Sequence, residues 1–261
     1  MIVLGFDTST PSTSVAVRLA DGQSTQLRDD PASGAHPGHA TRLLAMAHEL
    51  LAAAGAPWSA IDRIAVGVGP GTFTGLRVGV ATARGLAQSL SVELVGVSSP
   101  LALAAAALER GAFDDGGRAA VLAVIDARRS EAFAAAYERA DDGTPQELTV
   151  PRALPPHELV APRALPPQQL HEVVAEAELA AGEALHWLAV GDGALRYRAE
   201  LEAASLAVAD ESSPLHLLSA ATICELGARA SVSSMQEIVP DYRRRPDAEL
   251  AFEGAASGKG P

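Results

Sequence analysis

The stretch Ile64 to Gln88, IAVGVGPGTFTGLRVGVATARGLAQ, narrows the choice of fold more than any other part of the chain. Ile64 to Val68 is a short apolar run that reads as a buried strand. Gly69-Pro70-Gly71 is a turn, and a helix follows from Thr72-Phe73-Thr74. Strand, glycine turn and helix form the unit by which an α/β fold turns backbone N–H groups toward an anion or a partner. A hydroxyl at Thr72 or Thr74 is suited to cap the first turn. Gly75, Gly79, Ala83 and Ala87 recur at intervals of four and share one face. A helical glycine costs up to about 1 kcal/mol relative to alanine, so the face needs a compensating close approach. Two partners fit: the sheet or a helix of the same chain, or a second subunit. A membrane helix does not fit, because Arg77 and Arg84 interrupt the run.

Composition sets the outer bounds. The chain of 261 residues is long enough for one or two domains, and its 48% hydrophobic content is ample for a core. Aromatics make up only 4%, so small aliphatic side chains must do most of the packing. A net charge of −12 disfavours unaided nucleic-acid binding, which needs basic groups to displace phosphate counterions. Cys224 is the sole cysteine, which excludes an internal disulfide and a cysteine-based zinc site. Met1 to Phe6 reads as a strand rather than a signal segment, and no apolar run suits a bilayer. A cytoplasmic protein with no membrane association is the expectation. His36, His39 and His48 lack the one-turn spacing of a helical metal pair, so no metal site is predicted.

Along the chain, Ile2 to Phe6 and Ser14 to Leu19 are strands, and Gln23 to Asp29 returns as a third after Asp21-Gly22. A helix is predicted from His39 to Ala54, with Leu43, Leu44, Ala47, Leu50, Leu51 and Ala54 on one face. Val92 to Val97 is a further strand. Ser98-Ser99-Pro100 opens a helix to about Arg110, with proline at its first turn. Ala119 to Ile125, a turn at Asp126 to Ser130, and Glu131 to Glu138 form a hairpin that echoes the one at Asp7. His186 to Val190 is a strand, Gly191-Asp192-Gly193 a turn into a helix at Ala194 to Ala203, and Pro214 to Ala230 a long helix. PRALPPHEL and PRALPPQQL, Pro151 to Leu170, repeat with a period of eleven, too short for a solenoid unit.

Two resemblances extend this reading. Strand, Asp7-Thr8-Ser9 turn, strand resembles the first phosphate motif of the actin-like ATPase superfamily. GVGPGTFTGLRVGVATARGLA followed by LVGVSS, with Asp126-Ala127-Arg128-Arg129 behind it, resembles the TsaB (YeaZ) family. The C-terminal Pro240-Asp241-Tyr242-Arg243 is similar to that family's ending, with Arg243 where a leucine is usual.

The resemblance implies a two-lobe actin-like α/β fold, with mixed sheets flanked by helices. The lobes would span 1–98 and 99–240, and 241–261 would form a partly disordered tail. It implies a non-catalytic scaffold in the making of threonylcarbamoyladenosine in tRNA. The partners would be a catalytic TsaD-type homologue and a TsaE-type ATPase, with a homodimer when the chain is alone and tRNA met only indirectly. The partner interface would use Leu43, Leu44, Ala47, Leu51, Thr72, Phe73, Gly75, Leu76, Gly79 and Ala83. No catalytic residue or required cofactor is expected. Weak ATP or ADP with Mg²⁺ at the cleft or the subunit interface would draw on Asp7, Thr8, Ser9, Gly191 and Gly193. The competing class is an actin-like ATPase or small-molecule kinase that uses Asp7 and the glycine turns.

Overall fold

The computed structural model describes residues 1–32, 34–110, 119–139, 145–147, 166–181, 184–232 and 234–243. All but the end of the proline-rich repeat, and the tail beyond 243, lie outside the described residues.

Two five-stranded sheets share one topology. In the first, β1 (Val3–Asp7) pairs antiparallel with β2 (Thr13–Arg18), which pairs with β3 (Ser24–Asp29). On its other side β1 runs parallel to β4 (Arg63–Gly69), which is followed by β5 (Glu93–Ser98). The order is β3-β2-β1-β4-β5. In the second, β6 (Ala119–Arg128), β7 (Glu131–Arg139), β8 (Pro145–Glu147), β9 (His186–Val190) and β10 (Ala207–Val208) take the order β10-β9-β6-β7-β8. Read from β6, this is the same arrangement, with the antiparallel hairpin on one side and parallel strands on the other.

Central strands buried on both faces explain the continuous apolar runs. In β1, Val3 faces the interior between the sheets, while Leu4 and Phe6 face outward under α1 (His39–Ala53) and α2 (Phe73–Leu90). In β6, Val121, Ala123 and Ile125 face the shared interior, and Leu122 and Val124 face α4 (Leu170–Ala181), α5 (Asp192–Arg196) and α6 (Arg198–Ala203). The shared interior is filled by α3 (Ser99–Glu109) and α7 (Ala220–Arg229). Ser98 caps α3 by accepting from Leu101 N–H, with Pro100 in the first turn. Cys224 sits fully buried on β1 and β2, its thiol pushed up to about 12 by burial.

Two predicted helices are broken. Pro214 to Ala230 divides into a 3₁₀ turn, Pro214–His216, and α7. The chain crosses between lobes there. Both His216 ring nitrogens lie 3.0 Å from the carbonyl oxygens of Gly191 and Ala209 in the second lobe. Arg28 donates to Leu218 O, and Ala220 N–H donates to Ser14 Oγ at 3.0 Å, both in the first lobe. One straight helix cannot satisfy both sets, and Ser219 caps the new start through Thr222 N–H. Arg63 then donates to the carbonyls of Gly227 and Ala230, where α7 ends. The helix predicted at Ala194 to Ala203 is likewise split at Tyr197, whose hydroxyl donates to Glu131 O at 3.1 Å.

Candidate functional site

The Asp7 hairpin is a closed hydrogen-bonded unit. Asp7 is 1% exposed. Its Oδ1 accepts from Ser9 N–H at 2.7 Å and Ser9 Oγ at 2.6 Å, and its Oδ2 accepts from Ser99 Oγ at 2.7 Å. Thr8 Oγ1 donates to Gly75 O at 2.7 Å, which ties the hairpin to the first turn of α2. Gly191 and Gly193 lie against β6: a Cβ at Gly191 would stand 2.1 Å from Val124 O, and one at Gly193 2.8 Å from Ile125 C. Gly191 also holds φ +105°, which suits glycine. The five residues expected to hold a nucleotide are therefore spent on internal bonds and close packing. A carboxylate with both oxygens engaged by serines does not fit a hydrated Mg²⁺, and no chemical step is assigned through one.

The small-residue face of α2 is occupied by the chain itself. Gly75, Leu76, Gly79, Ala83 and Ala87 are buried. A Cβ at Gly75 would stand 1.9 Å from Thr8 O, and one at Gly79 2.4 Å from Thr8 Oγ1. Leu43, Ala47 and Leu51 of α1 are buried over the same sheet. These positions, expected at a partner interface, are core: the Asp7 hairpin fills the space at Gly75 and Gly79, and Leu43, Ala47, Leu51 and Ala83 pack in the apolar cluster over the first sheet. Leu44, at 47% exposed, is the large apolar residue that α1 leaves in solvent. Thr72 and Phe73 are half-buried where α2 begins.

That start of α2 opens on a cavity of about 620 Å³ between the lobes. One wall is His36, His39 and Gly71 to Gly75; the other is Asp126 to Arg129, with Tyr242 and Arg243 across the rim. Asp241 N–H donates to Val68 O at 2.7 Å, which brings the C-terminal segment back to the first lobe. Phe73 and Tyr242 rings lie 5.1 Å apart, with the Arg77 guanidinium 3.8 Å over Phe73. Asp126 is held by Arg196 at 3.0 Å and by Arg128 at 3.5 Å. Beneath it Asp192 accepts from Asp126 N–H, and burial pushes the Asp192 carboxyl up from 3.8 to about 6. The role of His39 in this wall was not signalled by spacing, because its neighbours come from α2 and β2.

The family model described as TsaD, tRNA N6-adenosine threonylcarbamoyltransferase, matches residues 32–252. The tRNA threonylcarbamoyladenosine biosynthesis protein TsaB of Escherichia coli is 35% identical over 148 residues, which are 55% of this chain and 58% of that protein. YeaZ from Pseudomonas aeruginosa superposes with a TM-score of 0.65 at 27% identity, covering 92% of this chain and 99% of that one. The chain belongs to the TsaB (YeaZ) family. A second Pseudomonas aeruginosa structure, described as similar to peptidase YeaZ, gives a TM-score of 0.68 at 28% identity, over 93% of this chain and 99% of that one. TsaB of Bacillus subtilis is 30% identical over 143 residues, 53% of this chain and 56% of that protein. The chain spans about half the length of the curated relatives it matches. The fold is the two-lobe actin-like ATPase fold, with both lobes carrying the same sheet order.

Proposed function

We propose that this TsaB family member is a scaffold subunit in the making of threonylcarbamoyladenosine in tRNA. It would pair with a TsaD-type catalytic homologue through the outer faces of α1 and α2, with a TsaE-type ATPase in the same system. One observation carries the reading. Gly85 is exposed in the middle of α2, and a Cβ there would meet nothing within 4 Å. Gly75 and Gly79 repay their helical cost by close packing inside the chain, but Gly85 does not. Its gain must come from outside the chain, and a second polypeptide laid closely on that face supplies it. Val78, Ala81 and Thr82 surround it on the outer face of α2, and Leu44, Ala45 and His48 form the outer face of α1.

The acidic chain would meet tRNA only through its partner, and its work would be in the cytoplasm. Among the described residues, no helix is long and apolar enough to cross a membrane. A homodimer through the same helices is the state proposed for the chain alone. The closed hydrogen bonding of Asp7 weighs against an ATPase or kinase reading, so no nucleotide is required for the scaffold role.

The test is a reconstituted modification reaction with the TsaD-type and TsaE-type proteins, tRNA and a source of threonylcarbamoyl-adenylate. Gly85→Ala should weaken product formation and Gly85→Arg should lose it, with both variants remaining folded. Equal product from Gly85→Arg would remove the proposed interface.

A further inference from the structure

The outer face of α2 is electropositive on an acidic chain. The whole sequence has 32 acidic and 20 basic residues, yet the 18 residues of α2 include Arg77 and Arg84 and no acidic residue. Their separation of seven puts the two arginines on the same side of the helix, two turns and about 10 Å apart along its axis. Exposed Ala81 and Gly85 lie between and beside them. On α1 the fixed charges are Arg42 and Glu49, and Arg42 already pairs with Asp29 at 3.3 Å. Among the described residues, neither Arg77 nor Arg84 has a carboxylate partner.

Arg77 is also braced. Its Nε–H donates to the Tyr242 hydroxyl at 3.0 Å, and its guanidinium lies 3.8 Å from the centre of the Phe73 ring and 5.9 Å from that of Tyr242. The segment that carries Tyr242 is fixed to the first lobe. Ile238 is buried in the apolar cluster under α1 and α2, and Asp241 N–H donates to Val68 O at 2.7 Å. The Nη groups of Arg77 make no bond among the described residues. A guanidinium held by two aromatic rings loses little rotamer freedom when a partner binds it, and its planar fork matches a carboxylate.

We infer that α2 docks on an acidic face of the TsaD-type partner, with Arg77 and Arg84 each meeting a carboxylate there and Tyr242 positioning Arg77. The inference rests on the scaffold reading and adds the chemistry of the surface that this chain selects. It also separates the two complexes proposed for these helices. A second copy of this chain brings the same cations to the interface, so like charges oppose the homodimer. An acidic partner face removes that repulsion and is preferred. Salt therefore acts differently on the two: screening weakens the heterocomplex and relieves the homodimer.

The test is analytical ultracentrifugation of the full chain, alone and with the TsaD-type homologue of the same cell, from about 50 to about 500 mM NaCl. The heterocomplex should weaken about tenfold over that range, and the homodimer should not weaken. At low salt, Arg77→Gln and Arg84→Gln should each weaken the heterocomplex about tenfold, and together they should flatten its salt dependence. Arg229→Gln, on α7 at the opposite face of the first sheet, should change nothing. Tyr242→Ala should weaken the complex less than Arg77→Gln does and add no further loss in the Arg77→Gln background, since it acts through Arg77. A heterocomplex lost in Gly85→Arg but indifferent to salt and to both arginine variants would overturn this inference and leave the scaffold reading standing. So would a homodimer that weakens with salt in parallel with the heterocomplex. Additive losses from Tyr242→Ala and Arg77→Gln would overturn the positioning role of Tyr242. No complex between the folded parent proteins at any salt concentration would remove this inference and the scaffold reading together.

Discussion

Gly79→Ala should destabilise the protein, against the usual expectation for an exposed helical glycine. The added methyl would stand 2.4 Å from Thr8 Oγ1, inside contact distance, and 3.8 Å from Val66 Cγ2. Thr8 must turn or α2 must shift, and either movement breaks the 2.7 Å bond from Thr8 Oγ1 to Gly75 O. Overpacking of this kind costs about 1–3 kcal/mol, and the lost hydrogen bond about 1 kcal/mol. Better helix propensity returns about 1 kcal/mol. The net expectation is a loss of about 1–3 kcal/mol, read as a lower urea midpoint for the chain alone. Thr8→Ala in the Gly79→Ala background removes the clashing oxygen and leaves Thr8 Cβ 3.7 Å away, an ordinary contact. The double variant should therefore be more stable than the sum of the two single losses by about 1 kcal/mol or more. A Gly79→Ala protein equal to or more stable than the parent would refute the internal packing of this face.

Gly85→Ala should do the opposite and raise stability by about 0.5–1 kcal/mol, since nothing lies within 4 Å of the new methyl; a urea melt that shows a loss would contradict the exposed placement. Asp7→Ala should cost about 2–4 kcal/mol by leaving Ser9 and Ser99 without their acceptor, measured by the same melt, whereas a neutral effect would mean Asp7 is not held as described. Asp192 has its folded pKa raised from 3.8 to about 6, so the folded state binds the proton more tightly than the unfolded one. The associated stability is present below about pH 4 and is lost as pH rises through about 6, an effect of up to about 3 kcal/mol. Asp192→Asn cannot titrate, so the stability difference between parent and variant should move in the variant's favour from pH 4 to pH 8; a pH-independent difference would count against a buried carboxylate there.

The sheets and the helix starts were legible because local signals and tertiary demand agree. Ile64 to Val68 is a buried central strand, Ser98 and Pro100 cap and open α3, and Thr72 stands at the N-cap of α2. The Thr72 hydroxyl makes no cap bond, which leaves the N–H groups facing the cleft. A period of four placed Gly75, Gly79 and Ala83 on one face but could not say what lies against it. The answer is the Thr8 hairpin, which lies 67 residues from Gly75 and is invisible to any local window. The signal that was present and unread is Gly85, the glycine out of phase with that stripe. The break between His216 and Ala220 was likewise hidden, because it is set by carbonyls and serines of two different lobes. Nothing in the spacing of His36, His39 and His48 joined His39 to α2, since their proximity is made by the sheet that both helices cover.

The scaffold account is tested most directly by mass in solution. Light scattering after size exclusion would be read for this chain with the TsaD-type homologue of the same cell, using the parent and Leu44→Asp, which alters an exposed α1 residue without touching the core. The account predicts a stable complex with the parent and loss of that complex in Leu44→Asp, with the variant's own melt unchanged. An absence of complex between two folded proteins, or a complex indifferent to Leu44→Asp and Gly85→Arg alike, would contradict it.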